Sequence, residues 1–488
     1  ISTIHLILLV RCVKHRERNN MTKKKYTVPE NYFSRLSDEY YKHNQITAHD
    51  FEHYQVKRGL RNADGTGVLA GVTQICNVHG YLLNEGERMP IDGELTYRGY
   101  SINDLVNNCR KENRYGFEET AYILMMGKLP TTAELDEFNK VIGAMRFLPD
   151  NFTKDMILRV PSLNVMNNLA RAVLALYSYD DKAEDYTLEN NLRQSLQLFA
   201  RFPIITAYAY QTKKHFHDQE SLYIHFPEPE LSTAENILRI IRPDSAYTEE
   251  EVHLLDIALM LHAEHGGGNN STFTTRVLTS SGTDIYSTIA GAVSSLKGPK
   301  HGGANAKVVE MMKDIKANVK DWGSDREITE YLTKILNRQA NDHSGLIYGM
   351  GHAIYTLSDP RAVILRESAE KLAKEKGRQD ELMLMDKIAD ISAKLFYEMK
   401  GGSKIISPNV DYYSGFVYSM LGIPEELYTA LFAIARISGW CAHRIEEMTT
   451  NGRIIRPAYK SIVPPLDYVP LAERKANDEA IPSLKNLF

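Results

Sequence analysis

The stretch from Glu249 to Ala263 constrains the fold most. It opens with Thr248 and Glu251 at capping-box spacing and continues through Leu254, Leu255, Ile257, Ala258, Leu259, Met260 and Leu261, apolar on nearly every helical face. A helix without a polar face must be covered on all sides, so other helices have to surround it. From about residue 118 onward helical periodicity dominates. Ile285, Ile289, Ala292, Val293 and Leu296 form one stripe that stops at Gly298-Pro299. Pro360 starts another helix, capped by Ser358 or Asp359 and ending near Gly377. Residues 385–399 repeat the spacing, and Pro424 opens a last apolar helix through Leu427, Leu431, Ile434 and Ile437. Strand signals are confined to the glycine-containing stretch from Val68 to Tyr97. No internal repeat or low-complexity linker interrupts the pattern. The fold class is mainly α, built on buried helices rather than a sheet.

Composition narrows the function classes. The chain has 488 residues, 43% hydrophobic and 25% charged, which excludes a disordered chain, a collagen-like fibre and a polytopic membrane protein. Length alone allows about three average domains. A formal charge of −4 gives no basic bias toward nucleic acid. Cys12, Cys76, Cys109 and Cys441 are too few and too scattered for a disulfide scaffold or cysteine zinc site, and they fit a reducing compartment.

Polar, glycine-containing clusters interrupt the apolar helices: His262-Ala263-Glu264-His265-Gly266-Gly267-Gly268-Asn269, Gly298-Pro299-Lys300-His301-Gly302-Gly303-Ala304-Asn305, Gly349-Met350-Gly351-His352, Asp359-Pro360-Arg361 and Pro408-Asn409-Val410-Asp411-Tyr412-Tyr413-Ser414-Gly415. Arg436 lies inside an apolar helix, and Arg456 precedes Pro457. Each has a bland reading. A lone histidine at a helix end is usually a hydrogen-bonded structural residue. The pair His262 and His265 is spaced by three, with no glutamate directly after the first, so it does not match the zincin motif and no metal is expected. Gly349-x-Gly351 is too short for a dinucleotide fingerprint. An arginine inside an apolar helix, however, is costly unless a carboxylate of protein or ligand pairs with it. Taken together, glycines that let backbone approach a ligand, arginines that grip carboxylates, and His and Asp that move protons near pH 7 point to an acid–base enzyme acting on small carboxylates.

In this order, His-Ala-Glu-His, Gly-Pro-Lys-His-Gly-Gly-Ala-Asn, Gly-Met-Gly-His, Asp-Pro-Arg, Asn-Val-Asp-Tyr-Tyr-Ser-Gly and Arg-Pro resemble the citrate synthase family, more loosely supported by Leu95–Tyr100 and Gly127–Thr131. The resemblance runs from about Val68 to Lys460. It implies a Claisen-type condensation of acetyl-CoA with oxaloacetate, followed by hydrolysis of the citryl thioester, with acetyl-CoA as co-substrate and no cofactor. Asp411 would remove the methyl proton, His301 would stabilise the enol or enolate, and His352 would polarise and protonate the ketone. His265, Arg361, Arg436 and Arg456 would hold oxaloacetate, Arg456 from the second subunit of a homodimer. Gly349, Met350 and Gly351 would lie near the adenine of coenzyme A. The resemblance also implies two domains: a large helical one (21–300 and 412–488) and a smaller helical one (301–411) inserted near the C-terminal end, closing over the cleft between them on glycine hinges.

The residues support these roles independently. His301 precedes a helical pattern through Val308, Met312 and Ile315, and a helix N-terminus disfavours imidazolium. Arg361 falls in the first turn opened by Pro360, where spare backbone N–H groups favour an anion. Departures from the family pattern are Glu264 for an aspartate, Gly266 for an acidic residue and Lys300 for a leucine. The region before Val68 does not resemble a strand-rich regulatory domain, so NADH regulation is not expected. The nearest rival is 2-methylcitrate synthase, which uses propionyl-CoA: one methylene in an apolar pocket is worth only about 1–3 kcal/mol and leaves no signature here. A silent helical scaffold would not need His301, His352 and Asp411 together, and a metal hydrolase would reveal itself by chelator sensitivity.

Residues 1–20 stand apart. The apolar run Ile4–Val10 is too short to span a bilayer, and its cations Arg11, Lys14, Arg16 and Arg18 follow it, the reverse of a signal peptide. They are expected to be upstream translated sequence or a non-native addition, with a mitochondrial presequence as the rival. Without those four cations and Glu17 the charge falls from −4 to −7, so two anionic substrates must be drawn by local arginines. Localisation is expected to be cytoplasmic, or the mitochondrial matrix if the leader is a presequence.

Overall fold

A computed structural model describes residues 29–474 except 63–65, 85–86, 400, 402–404 and 451, so the leader lies outside the described residues. Six helices carry the site: α1 (Glu249–His262), α2 (Asn270–Ser280), α3 (Ala304–Asn318), α4 (Pro360–Glu375), α5 (Val410–Met420) and α6 (Tyr428–Thr449). α1 has the expected capping box from Thr248 to Glu251 and buries Val252 together with Leu254 through His262. α6 is still more enclosed, buried at almost every position from Ala430 to Ile445. It packs against α1, α2 and α3 and against the Phe117–Met126, Leu188–His217 and Ile285–Lys297 helices. Each fully buried Leu or Ile along such a helix contributes about 1.5–3 kcal/mol relative to exposure, and this layer of helix on helix is the core. The fold is all-α with little strand, as the sequence pattern requires.

The sheet is small. β1 (Cys76–Asn84) and β2 (Glu87–Tyr97) form an antiparallel hairpin with an irregularity between His79 and Tyr81, and β3 (Tyr100–Ser101) pairs with the end of β2. Gly80 sits at that irregularity because a Cβ there would come within 2.8 Å of the Ile354 carbonyl. The hairpin thus braces the loop that follows His352, and Gly93 N–H donates to Ser358 Oγ at 3.1 Å.

Contacts divide the described residues into two units, Arg61–Arg456 and a second made of those up to Leu60 with those from Pro457 onward. The first contains every site helix. In the second, the Tyr32–His43 helix and the C-terminal segment expose Phe33, Tyr41, Tyr459 and Tyr468.

Candidate active site

The turns between buried helices bring the polar clusters together. α1 ends at His262, whose Nδ1 lies 2.8 Å from the Ala258 carbonyl, and burial lowers its pKa to about 3. The chain then turns through Glu264, His265 and Gly266, the last at φ +85°, while the Tyr97 hydroxyl from β2 lies 3.0 Å from the Met260 carbonyl and 3.1 Å from that of Glu264. His301 sits in the turn between the Ile285–Lys297 helix and α3, and His352 in the loop before α4. Asp411 is the second residue of α5, behind the Asn409 cap.

Tyr355 gathers one set of these residues. The His265 and His352 rings meet edge to face at 5.1 Å; His352 stacks on Tyr355 at 4.8 Å, and His265 Nε2 lies 3.2 Å from the Tyr355 hydroxyl. The Arg361 guanidinium lies 5.9 Å from the same ring. His352 Nδ1 accepts from the backbone N–H of Ile354 at 3.1 Å and of Tyr355 at 3.3 Å, which leaves Nε2 as the protonated nitrogen. Burial, with Arg361 next, lowers its pKa to about 4, so it is a neutral donor at pH 7. Burial and Arg361 hold His265 neutral too.

Phe432 gathers the second set: His262 at 5.1 Å, His301 at 6.3 Å and the Arg436 guanidinium at 4.7 Å. His301 Nε2 accepts from Ser271 N–H at 3.3 Å and lies 3.0 Å from Ser271 Oγ, which in turn accepts from the buried Trp440 indole at 3.1 Å. Nδ1 of His301 is therefore the nitrogen that carries hydrogen. Its pKa is lowered to about 4 by burial and by Arg436. The expected neutrality is thus present, with desolvation and an arginine as its causes. Burial raises the Asp411 carboxyl to about 6 although Arg361 and, more weakly, Arg436 pull it down.

The two buried arginines differ in what they hold. Arg361 donates Nε and Nη2 to Asp359 at 3.0 and 2.7 Å, and its backbone N–H donates to the same carboxylate at 3.0 Å. At this helix start Asp359 of the chain itself takes the Arg361 N–H, which resolves the cap in favour of Asp359; Ser358 Oγ instead donates to Asp92 at 2.9 Å. Arg436 gives Nε to the His262 carbonyl at 2.8 Å, and its Nη1 and Nη2, fully buried, have no partner among the described residues. Glu264 sits nearby. Burial alone would raise its carboxyl; His443, 3.2 Å away, with Arg436 and the His265 backbone N–H, outweighs that and holds it at about 2. Arg276 donates to His443 Nδ1 at 3.0 Å, and Glu446 and Glu447 bind Arg276 behind it.

Gly349, Met350 and Gly351 form a ladder with the segment before α5: Met350 bridges Pro408, Gly351 N–H donates to the Ser407 carbonyl at 2.7 Å and Asn409 N–H to the Gly349 carbonyl at 2.9 Å. Both glycines have positive φ. Arg456 is exposed at the end of the first unit, and no described residue bonds its side chain. Among the described residues no three His, Cys, Asp or Glu side chains form a metal-binding group, and no helix is long and apolar enough to cross a membrane. Sequence reasoning missed Tyr355, Ser271, Phe432, Trp440 and the His443–Arg276 contact, and it saw Asp359 only as a helix cap, not as the partner of Arg361. Only Asp359, next to a helix-opening proline, had a local signal.

A mainly α scaffold that encloses two neutral histidines with assigned donors, a carboxylate whose pKa is raised and a buried guanidinium with two unpaired donors has the equipment of an acid–base enzyme. The family model described as "Citrate synthase, C-terminal domain" matches residues 62–458. The chain is 35% identical to the citrate synthase of Corynebacterium glutamicum over 75% of this chain and 80% of that one, and 32% identical to the 2-methylcitrate synthase of Shewanella oneidensis over 78% and 92%. It superimposes with a TM-score of 0.69 and 29% identity on a citrate synthase from Thermoplasma acidophilum, in a ternary complex with carboxymethyl coenzyme A and oxaloacetate, covering 86% of this chain and 99% of that one. The chain belongs to the citrate synthase family and is a transferase of that type.

Proposed function

We propose that the protein is a citrate synthase that condenses acetyl-CoA with oxaloacetate and hydrolyses the citryl-CoA formed, in the tricarboxylic acid cycle. The observation that carries this reading is Arg436: a buried guanidinium whose two Nη groups have no partner, beside the paired Arg361 and two neutral histidines, suits a dicarboxylate rather than a neutral ligand. In this reading the Asp411 carboxylate takes a proton from the acetyl methyl as His301 donates Nδ1–H to the thioester oxygen. The enol carbon attacks the ketone of oxaloacetate, whose oxygen takes the proton from His352 Nε2. A thioester methyl is a very weak acid, so base and donor have to act together; proton transfer offers about 10²–10⁴-fold and one oxyanion donor about 10²–10³-fold. His265 holds oxaloacetate with the arginines, and Gly349–Gly351 lie against coenzyme A.

The same reading makes the protein a cytoplasmic homodimer in which Arg456 reaches the partner's oxaloacetate, and it makes 301–411 a small domain that closes on substrate. The exposure of Arg456 and of apolar side chains such as Phe33, Tyr41 and Tyr459 supports the dimer. The deciding experiment compares turnover of acetyl-CoA and propionyl-CoA with oxaloacetate. Acetyl-CoA is expected to be preferred; a clear preference for propionyl-CoA assigns 2-methylcitrate synthase instead, and inactivity with both defeats the reading. Asp411→Asn and His301→Gln should abolish condensation and leave oxaloacetate binding nearly intact, as titration calorimetry would show.

A further inference from the structure

The structure assigns a positioning role to a junction the mechanism does not use. Asn305 lies four residues after His301 and is the second residue of α3; Ser414 lies three residues after Asp411, one turn along α5. Their side chains meet between the two helices, Asn305 Nδ2 donating to Ser414 Oγ, with Asn305 7% exposed and Ser414 fully buried. Gly415 lets the helices approach this closely: a Cβ there would stand 2.6 Å from Val309 Cγ2 and 3.0 Å from Asn305 Oδ1. A third strand of the site enters at the same place. A Cβ on Gly349 would stand 2.9 Å from both Tyr412 Cα and Val308 Cγ2, so the loop leading to His352 wedges between α3 and α5.

We propose that Asn305, Ser414 and Gly415 fix the spacing between His301 and Asp411. The inference rests on the citrate synthase reading, in which these two residues work on the same two-carbon unit. A base has to stand within about 2.6–3.2 Å of its proton, and a displacement of about 1 Å at a remote residue can remove about 10²-fold in rate. The Asn305–Ser414 bond sits one turn behind each reacting group, where a small change in helix separation is passed on without passing through the oxaloacetate residues around Tyr355. In this role Asn305, Ser414 and Gly415 act through His301 and Asp411 rather than on substrate.

The test is steady-state kinetics of the full-length enzyme with acetyl-CoA and oxaloacetate for Asn305→Ala, Ser414→Ala, the double variant, Ser414→Thr and Gly415→Ala. Each alanine variant is expected to lose about tenfold or more in kcat, with the oxaloacetate KM within about twofold of wild type, a split that general loosening of the fold would not produce. The double Asn305/Ser414 variant should be no more than about twofold worse than either single one, because both remove one bond. Ser414→Thr, which keeps the hydroxyl, should retain kcat within about threefold and keeps the test valid if an alanine variant misfolds; a Thr variant as slow as the Ala variant overturns the proposal. So do a double variant with wild-type kcat, multiplicative losses, or losses of kcat matched by loss of oxaloacetate affinity. Wild-type protein inactive with both acyl-CoAs overturns the functional reading and this inference with it, whereas an active wild type with an unaffected double variant overturns this inference alone.

Discussion

Arg361 and Arg436 are the same residue type, both buried, both within 6 Å of an aromatic ring, and they do opposite things. Arg361 belongs to the Tyr355 set and closes a carboxylate pair with Asp359, so its pKa is raised. Arg436 belongs to the Phe432 set, spends only Nε on a carbonyl and carries its charge in a place where desolvation lowers its pKa. Removing one partner of a buried ion pair strands the other charge, whereas removing Arg436 frees one backbone carbonyl and strands no hydrogen-bonded charge. Burial of an arginine therefore says little about its role until its partners are counted: one of these is paired within the chain, and the other keeps two donors unpaired, as the proposed oxaloacetate site requires.

The largest expected effect is on stability. Arg361→Leu leaves Asp359 buried and unpaired and should lower the unfolding free energy by about 3–5 kcal/mol. Urea titration measures it, and Asp359→Asn on the same background should restore part of the loss. A change below about 1 kcal/mol would break the contrast. Next comes Arg436→Leu, which in the proposed reading removes charged hydrogen bonds worth about 1.5–3 kcal/mol each to bound oxaloacetate. It should lower kcat/KM for oxaloacetate by about 10²–10³-fold, and the unfolding free energy without oxaloacetate should stay level or rise. A stability loss as large as that of Arg361→Leu would show that the two arginines are not different in kind. Oxaloacetate itself sharpens the comparison: at a hundred times its Kd it should stabilise the wild type by about 2.7 kcal/mol, seen as a raised Tm, and the same concentration should do far less for Arg436→Leu.

How much of this could be read from the chain depends on the range of the interaction. α1, with Thr248 capping to Glu251, and the Ile285–Lys297 helix ending at Gly298 follow from local spacing and caps, and they are found where the spacing places them. Asp359 could be narrowed to one of two caps because a proline follows it. The partners of His301 could not be read at all: Ser271 lies thirty residues away, and Trp440 is 169 residues beyond Ser271. Nothing in the local pattern of either residue marks it as facing a histidine. The tautomers of His301 and His352, and the difference between the two arginines, are set by such contacts, so they become visible only once the helices are packed. The motifs identify which groups carry charge and protons; the packing decides which nitrogen holds the hydrogen.

The smallest effects are those of pH, and they link the two sets through Asp411. Its native pKa of about 6 lies above the ordinary carboxylate value of 3.8, so the native state holds this proton more tightly than the unfolded chain. That contribution to stability is fully present below about pH 4 and is lost as pH rises through 6. His301 and His352 run the other way: with native values of about 4 against 6.5, they favour the folded state above pH 6.5 and lose that contribution as pH falls toward 4. Asp411→Asn should accordingly leave stability unchanged near pH 4 and raise it, relative to wild type, by an amount that grows up to about pH 6 and is constant beyond; a difference already present at pH 4 would argue against a raised native pKa. With the Asp411 carboxylate as the proposed base, kcat/KM should fall about tenfold per pH unit below 6 and show no limb from the histidines between 5 and 8. Arg361 holds the Asp411 pKa down more strongly than Arg436 does. In the residual activity of the two leucine variants, the acid limb should therefore move up in both and further in Arg361→Leu, so that the arginine already bound to a carboxylate is still the stronger influence on the base.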